Sequence, residues 1–576
     1  MIGAALYLAR RSLANAMRRR LARLRQPKYL VGFAVGLAYY YWMFLRPRGQ
    51  SGVGGVPGSA EGIAILGLAA LIAMGWLFGS SRSPLVFTPA ETHFLFTAPL
   101  TRRQVLNFKL LRSQLALCLS SLLSVLLFSG GHFPATRVLR VLGLWLVFAA
   151  LQMHSGVTAL VRQSLEEHGV TALRRRLGAL VVLAGIASVA ALTLRAQLPS
   201  LAAAFGEDPA SGFDALAALL HRGALGVFTW PLAALVRPAL APDLAAFAAR
   251  LPAALLVVAL HYAWLVRSSV AFEEVAVESA ERMATRIAAW RSGRRPPPPA
   301  GAAKRARRPL TRLASTGSPL RAIAWKNVQA EWRGSGVRLP VLIAIGVLVV
   351  AWVASLGKAA GTGLQVVALV LLVVGAMTAV FGPYALRNDL RSDLQLWDQL
   401  KTYPLRGADL VAGEVLGPVT ILTGVAWGCL VCAFVVSLTF DVPGFAISKR
   451  VAVLLAAAIA TPVLLGIATL IQNAAVLFFP AWISVGPNRA AGMEMLGQRL
   501  VTMVGSQLLL AIALVPALIV GAVAISIAGV AGVVGVWLAV PGAAGLAVTL
   551  GFEGMLAVTW LGRVFERSDP AAEVGG

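Results

Sequence analysis

Hydrophobic residues in this chain gather in long runs, separated by short stretches where Arg, Lys, Pro and Gly collect. A helix needs roughly 20 apolar residues to cross the hydrocarbon core of a bilayer. Twelve runs come near that length. The first six are Tyr29–Leu45, Gly62–Ser81, Leu110–Phe128, Val138–Val161, Leu177–Leu198 and Leu251–Val266. The second six are Leu339–Leu356, Leu364–Leu386, Val415–Leu438, Val451–Ile471, Met503–Ala528 and Val530–Leu561. Met503 to Leu561 is almost uninterrupted, and its turn is expected near Gly529–Gly532. The pattern predicts an all-α polytopic membrane protein of about twelve transmembrane helices in two repeated six-helix halves.

Composition agrees with the pattern. Of 576 residues, 58% are hydrophobic and 13% charged; soluble domains sit nearer about 45–50% and 25%. That excludes a string of soluble domains. Lys plus Arg is 51 and Asp plus Glu is 24, a formal charge of +27. Residues 1–28 carry eight basic residues and no acid, and residues 267–338 carry fifteen basic and five acidic. The short loops on the other side carry few: Arg46 and Arg48, Arg137 and Arg140, Lys358, Lys449 and Arg450. Both termini are therefore expected on the cytoplasmic side of the cytoplasmic (inner) membrane. Basic stretches beside spans attract anionic lipid headgroups, so the charge points to the bilayer and not to nucleic acid. Residues 2–8 are apolar but precede their basic cluster, the reverse of a cleavable signal. Cys118, Cys429 and Cys432 lie inside apolar runs and give neither a disulfide framework nor zinc spacing.

The expected organisation follows. Residues 1–28 form a basic amphipathic interfacial helix, with Leu13, Met17, Leu21 and Leu24 on one face; the same charges also serve topology. Residues 29–266 are the first six-span half. Residues 267–338 hold a charged helix, a Pro- and Arg-rich linker around Pro296–Pro299, and the opening helix of the second half. Residues 339–562 are the second half, and 563–576 a cytoplasmic tail. The stretch 199–250 is expected outside. It is too broken by Pro199, Pro209, Pro231, Pro238 and Pro242 for a simple span, though a re-entrant or surface-lying hairpin fits.

The halves repeat. "LFTAPLTRRQVL" from Leu95 aligns with "LKTYPLRGADLV" from Leu400 at an offset of 305, each between the second and third span of its half. "ARRSLANAMRRR" from Ala9 aligns with "AWKNVQAEWRGS" from Ala324 at an offset of 315. Within the first loop, Thr88-Pro89-Ala90-Glu91 has a Thr cap, a Pro at the first helical position and a Glu at the third. Thr101-Arg102-Arg103-Gln104 is a second capping box after Pro99. The loop 82–109 thus reads as helix, break at Pro99, then a helix running into the third span. An ordered loop on a rigid scaffold suits docking of a cytoplasmic partner; an ordered connector whose arginines face headgroups is the plainer alternative. Residues 472–499, broken by Pro480 and Pro487, read as an interfacial connector or as a second cytoplasmic contact.

Candidate chemistry is sparse. No G-x-x-x-x-G-K-[ST] occurs, so no phosphate-binding loop is expected. Inside the spans Glu553 and His261 are the clearest ionisable residues. A proton- or sodium-coupled carrier normally buries acids on its path, and a secondary-carrier reading would hinge on Glu553. It reads more simply as a helix-packing or near-interface residue, and His154 and His261 as satisfied core histidines. A lipid-modifying membrane enzyme would need an acid/base or metal cluster, for which Glu207, Asp208 and Asp214 are the only candidates. No catalytic residue, cofactor site or metal site is expected.

A six-span unit with an amphipathic N-terminal helix and a Pro-Leu-x-Arg-Arg loop resembles the type-2 ABC transporter (ABC-2 type) permeases. More specifically, the chain resembles the putative ABC exporter family of duplicated permeases. The carrying stretches are "RRRLARLRQPKYLVG" from Arg18, "FTPAETHFLFTAPLTRRQVLNFKLLRSQ" from Phe87, "NAAVLFFPAW" from Asn473 and "GMEMLGQRL" from Gly492. The resemblance implies a non-enzymatic permease subunit of an exporter. ATP would be bound by a separate cytoplasmic ABC ATPase, as a nucleotide-binding dimer. It implies that Glu91, Pro99, Leu100, Thr101, Arg102 and Arg103 belong to a coupling-helix region contacting that ATPase, and Pro404, Leu405 and Arg406 to the second copy. The second copy departs, with Gly407 and Ala408 where the first has Arg102 and Arg103. Single-unit permeases of this class work as dimers, so a two-unit chain could form the whole path by itself; one chain and a dimer both stay open.

Overall fold

The computed structural model describes residues 59–78, 101–128, 135–194, 209–268, 313–335 except 315, 360–393, 397–441, 444–479 and 496–568, with isolated positions elsewhere. The first and seventh expected spans, most of the N-terminal helix and of the linker, Glu207, Asp208 and residues 480–495 lie outside the described residues. All regular structure among the described residues is helical, and ten helices are long and apolar enough to cross a membrane. The chain is an all-α polytopic membrane protein. It divides into two compact units, Met1–Pro296 with Pro487–Val501, and Pro297–Gly486 with Thr502–Gly576.

The first unit contains α1 (Ser59–Phe78), α2 (Arg102–Phe128), α3 (Ala135–Glu167) and α4 (Ala172–Leu194). The positive φ of Gly169, 76°, lets the chain reverse between α3 and α4, which occupies the expected fifth span. Then come α5 (Pro209–Leu220), α6 (Gly223–Val236), a 3₁₀ turn Arg237–Leu240 and α7 (Leu244–Arg267). The stretch 199–250 is broken into pieces, as its prolines led one to expect, and it folds as a hairpin; residues 223–240 within it are nonetheless long and apolar enough to cross by length and composition. Pro231 sits inside α6, and Pro238 lies in the first turn of the 3₁₀ segment, where a missing N–H costs little. Leu220 at the end of α5 packs with Ala233 of α6 and Ile65 of α1, so α5 and α6 fold back on each other and on the bundle. α6 alone is about 21 Å long, short of the roughly 30 Å core. α7 begins at Leu244, seven residues before the expected span, because Asp243 accepts the Ala246 N–H at 2.7 Å and caps it.

Ion pairs and glycine contacts fix this hairpin. Arg237 Nε donates to Glu61 Oε1 at 2.7 Å, and His221 Nε2 lies 3.1 Å from the same oxygen. Gly143 of α3 meets the 3₁₀ turn so closely that an added Cβ would stand 2.3 Å from Ala239 N. Deeper in, His154 Nδ1 and His261 Nε2 are 3.4 Å apart, with His261 Nδ1 2.8 Å from Val257 O. His154 Nε2 is buried without a partner, so only one of the two histidines is satisfied as expected.

The second unit contains α8 (Pro319–Ser335), α9 (Ala360–Ala385), the short α10 (Leu390–Asp393) and α11 (Trp397–Thr402), then α12 (Gly407–Ser437), α13 (Ile447–Phe478), α14 (Leu496–Val530) and α15 (Ala539–Arg567). The turn between α14 and α15 falls where glycine predicted it, with Gly532 at φ 91° and Gly535 at φ 63°. Small residues bring these two helices together: a Cβ on Gly545 would stand 3.1 Å from Val520 O and from the Ala524 Cβ. Arg450 closes the α12–α13 turn, donating to the carbonyls of Ser437, Phe440 and Phe445. The main core joins Leu410, Val411, Leu465, Val476, Leu561 and Phe565.

Gly143→Ala should lower stability by about 1–3 kcal/mol, because backbone cannot yield to the added methyl. Gly178→Ala, on α4 with nothing within 4 Å, should be neutral or slightly stabilising. Unfolding of both variants in detergent checks the contrast.

Candidate functional site

The second-half loop is laid out along its whole length except 394–396. Asp389 is fully buried and carries the first bend. Its carboxylate takes Arg391 bidentately, Nε at 2.9 Å on Oδ1 and Nη2 at 2.6 Å on Oδ2, and also accepts the Arg391 N–H. Arg391 Nη2 reaches back to Leu386 O at 2.7 Å. Asn473 of α13 supports the same bend, accepting the Leu390 N–H at 3.1 Å and donating to Thr469 O. A buried charge pair is tolerated only when hydrogen bonds satisfy its remaining lone pairs and protons, and this one has them.

Beyond the bend, α11 lays the buried Trp397 against Phe565 of α15, ring centroids 4.6 Å apart. The chain then turns at Tyr403-Pro404-Leu405. Tyr403, Pro404 and Arg406 are exposed and Leu405 is half-buried. α12 starts immediately after. The order helix, break at proline, helix into a span is the one expected for the first copy.

Gly407 and Ala408 now have a physical reason. A Cβ on Gly407 would stand 2.2 Å from Gly562 O, and one on Gly562 would stand 2.3 Å from Ala408 N. The two backbones touch, so nothing larger than glycine fits at Gly407. Arg406, the cap residue of α12, makes no side-chain cap. Glu566 of α15 does so instead, its Oε1 accepting the Gly407 N–H at 2.8 Å. Lys401 in turn donates to Ser568 O at the end of α15.

α8 is clasped to α12 just past this junction. Glu414 is fully buried and accepts from Lys326 Nζ at 2.9 Å and Asn327 Nδ2 at 2.8 Å. Lys326 also pairs with Asp393 of the loop, and Asn388 donates to Glu331 at 2.7 Å. Gly413 and Gly417 flank Glu414 and let α8 lie close: Cβ atoms there would stand 2.7 Å from Ile323 Cβ and 2.5 Å from Asn327 Cβ. Burial disfavours the Lys326 ammonium, but Glu414 and Asp393 outweigh it and raise its pKa above 10.5. A raised lysine pKa gives stability that is complete below 10.5 and is lost only as pH climbs through the higher value. Near neutrality the lysine side of the clasp stays charged.

Of the first-copy residues, Glu91, Pro99 and Leu100 lie outside the described residues. Thr101 precedes α2, and one half of the expected capping box forms: Gln104 Oε1 accepts the Thr101 N–H at 2.9 Å, while the Gln104 N–H goes to the Thr101 carbonyl. Arg102 opens α2 and Arg103 is exposed on it. Lys326, Asn327, Asp389, Asn473 and Glu566 were not anticipated. The one available signal was Gly413 and Gly417 bracketing Glu414, a small-xxx-small pattern around an acid at the very start of an expected span. Glu553 lies half-buried in mid-α15, and among the described residues no group of three His, Cys, Asp or Glu could hold a metal ion.

Replacing Lys326 strands the buried Glu414. Lys326→Ala should therefore destabilise more in the native background than beside Glu414→Gln, with a coupling of about 1–3 kcal/mol. A double-mutant cycle of unfolding in detergent measures it, and strict additivity would contradict the clasp.

No curated protein and no solved structure matches the chain. The putative ABC exporter family matches residues 2–394, a stretch that ends before Pro404. With more than half of the chain covered, and with a helical membrane-spanning fold beneath it, the chain belongs to the putative ABC exporter family.

Proposed function

We propose that this chain is the ABC-2 type permease subunit of an ATP-driven exporter, coupled to a separate cytoplasmic ATPase. The family supports a transporter membrane component. The observation that carries the rest is the Tyr403–Arg406 corner. It is exposed at its tip, yet every element behind it is pinned: Asp389 and Asn473 fix the bend, Trp397 the short helix, and Glu566 the start of α12. A corner of this kind transmits force instead of absorbing it. Thr101, Arg102 and Arg103 would play the same part in the first half, with Glu91, Pro99 and Leu100 preceding them.

The ATPase subunits would bind ATP as a dimer, close, and push both corners toward the bilayer. The two units would supply the whole path in one chain. Nucleotide shifts the equilibrium only if it favours one state over the other, so the pinned corners are what convert closure into a preference. The basic loops support a reading in which both corners and both termini would face the cytoplasmic side of the inner membrane.

Arg102→Glu/Arg103→Glu and Arg406→Glu test the docking. A tagged chain purified in mild detergent should bring down an ATPase, and each charge reversal should cut recovery at least about tenfold, equivalent to 1.4 kcal/mol. A well-folded wild-type chain with no partner and no ATPase activity in the eluate would overturn the reading.

A further inference from the structure

The second loop and the last span hold each other from both sides. Glu566, in the last turn of α15, places its carboxylate at the positive end of α12 and takes the otherwise uncapped Gly407 N–H. Lys401, in the last turn of α11, takes Ser568 O just past the negative end of α15. Between these contacts the Gly407 and Gly562 backbones touch, and the Trp397 ring packs tilted against Phe565.

The corresponding positions of the first half carry different residues. Trp264-Leu265-Val266-Arg267 at the end of α7 corresponds to Trp560-Leu561-Gly562-Arg563 in α15, and Leu265 and Leu561 are each 1% exposed in their own cores. Val266 then stands for Gly562, Arg102 for Gly407 and Val270 for Glu566. Neither the glycine contact nor the carboxylate cap can be built from those residues.

We propose that Glu566 is a positioning residue for the second loop, binding the Gly407 N–H so that displacement of the Pro404–Arg406 corner passes into α15 as well as α12. This rests on the docking reading of that corner. A hydrogen bond at 2.8 Å weakens steeply as it lengthens or bends, so loop and helix move together or the bond breaks. Motion at the second corner then reaches the last span directly.

The test uses the full chain with its co-purified ATPase in nanodiscs, with Cys118, Cys429 and Cys432 replaced by Ala. Val534→Cys, at an exposed site in the turn at the far end of α15, reports that helix through its labelling rate with a membrane-impermeant maleimide. ATP plus vanadate should change the wild-type rate severalfold. Glu566→Ala should abolish the change while the ATPase still co-purifies. Glu566→Gln, which keeps an acceptor for Gly407, should retain it. A Glu566→Ala complex that responds like wild type overturns the proposal. So does a Gln variant that fails like Ala, which would make the charge and not the bond responsible, and so does a wild-type rate that nucleotide leaves unchanged. Absence of an ATPase from the wild-type preparation overturns the docking reading instead. If Glu566→Ala yields no folded complex, Lys401→Met opens the same junction from α11 and should reduce the response; an unchanged response there also overturns the proposal.

Discussion

Glu414 has no exposed surface, and a buried carboxylate must be paired or it is expelled or neutralised. That requirement organises the second unit. The acid draws Lys326 and Asn327 from α8, and α8 can come near enough only because Gly413 and Gly417 leave a trough in α12. Lys326, once there, also neutralises Asp393 in the loop. The helix that opens the half, the loop between its spans and the span itself therefore share one set of charges. Moving any of the three exposes a charge that the other two had compensated.

Hydrophobic run length made most of the spans legible, since a bilayer imposes a length and leaves little else to choose. Glycine at 529–532 made the last turn legible, and Gln104 closes back on Thr101 as the capping-box pattern led one to expect. In the segment 199–250 the prolines do divide the chain into short pieces, Pro231 lying inside α6 and Pro238 in the 3₁₀ turn that ends it. The clasp was invisible in the sequence. Lys326 and Glu414 lie 88 positions apart, and nothing local to either marks the other. Glu414 alone reads as a single acid just before an expected span.

The departure of the second motif from the first also needed coordinates. Gly407 and Ala408 look like erosion of an Arg-Arg pair. In place they are the condition for α12 and α15 to cross at backbone distance. The two loops share one sequence pattern, but a glycine that lets α12 meet α15 stands where the first loop has Arg102. The second presents Tyr403, Pro404 and Arg406 on a tightly supported corner.

Glu566 follows Gly407 by 159 residues. A ribosome therefore releases the corner long before it makes the group that caps it. Until α15 has been synthesised and inserted, α12 begins with an unclaimed amide and the corner lacks its backstop. A chain truncated anywhere before α15 would carry Pro404, Leu405 and Arg406 intact yet lack the carboxylate that holds the start of α12 in its finished form. The geometry of this corner is thus settled only when a helix far downstream has been made.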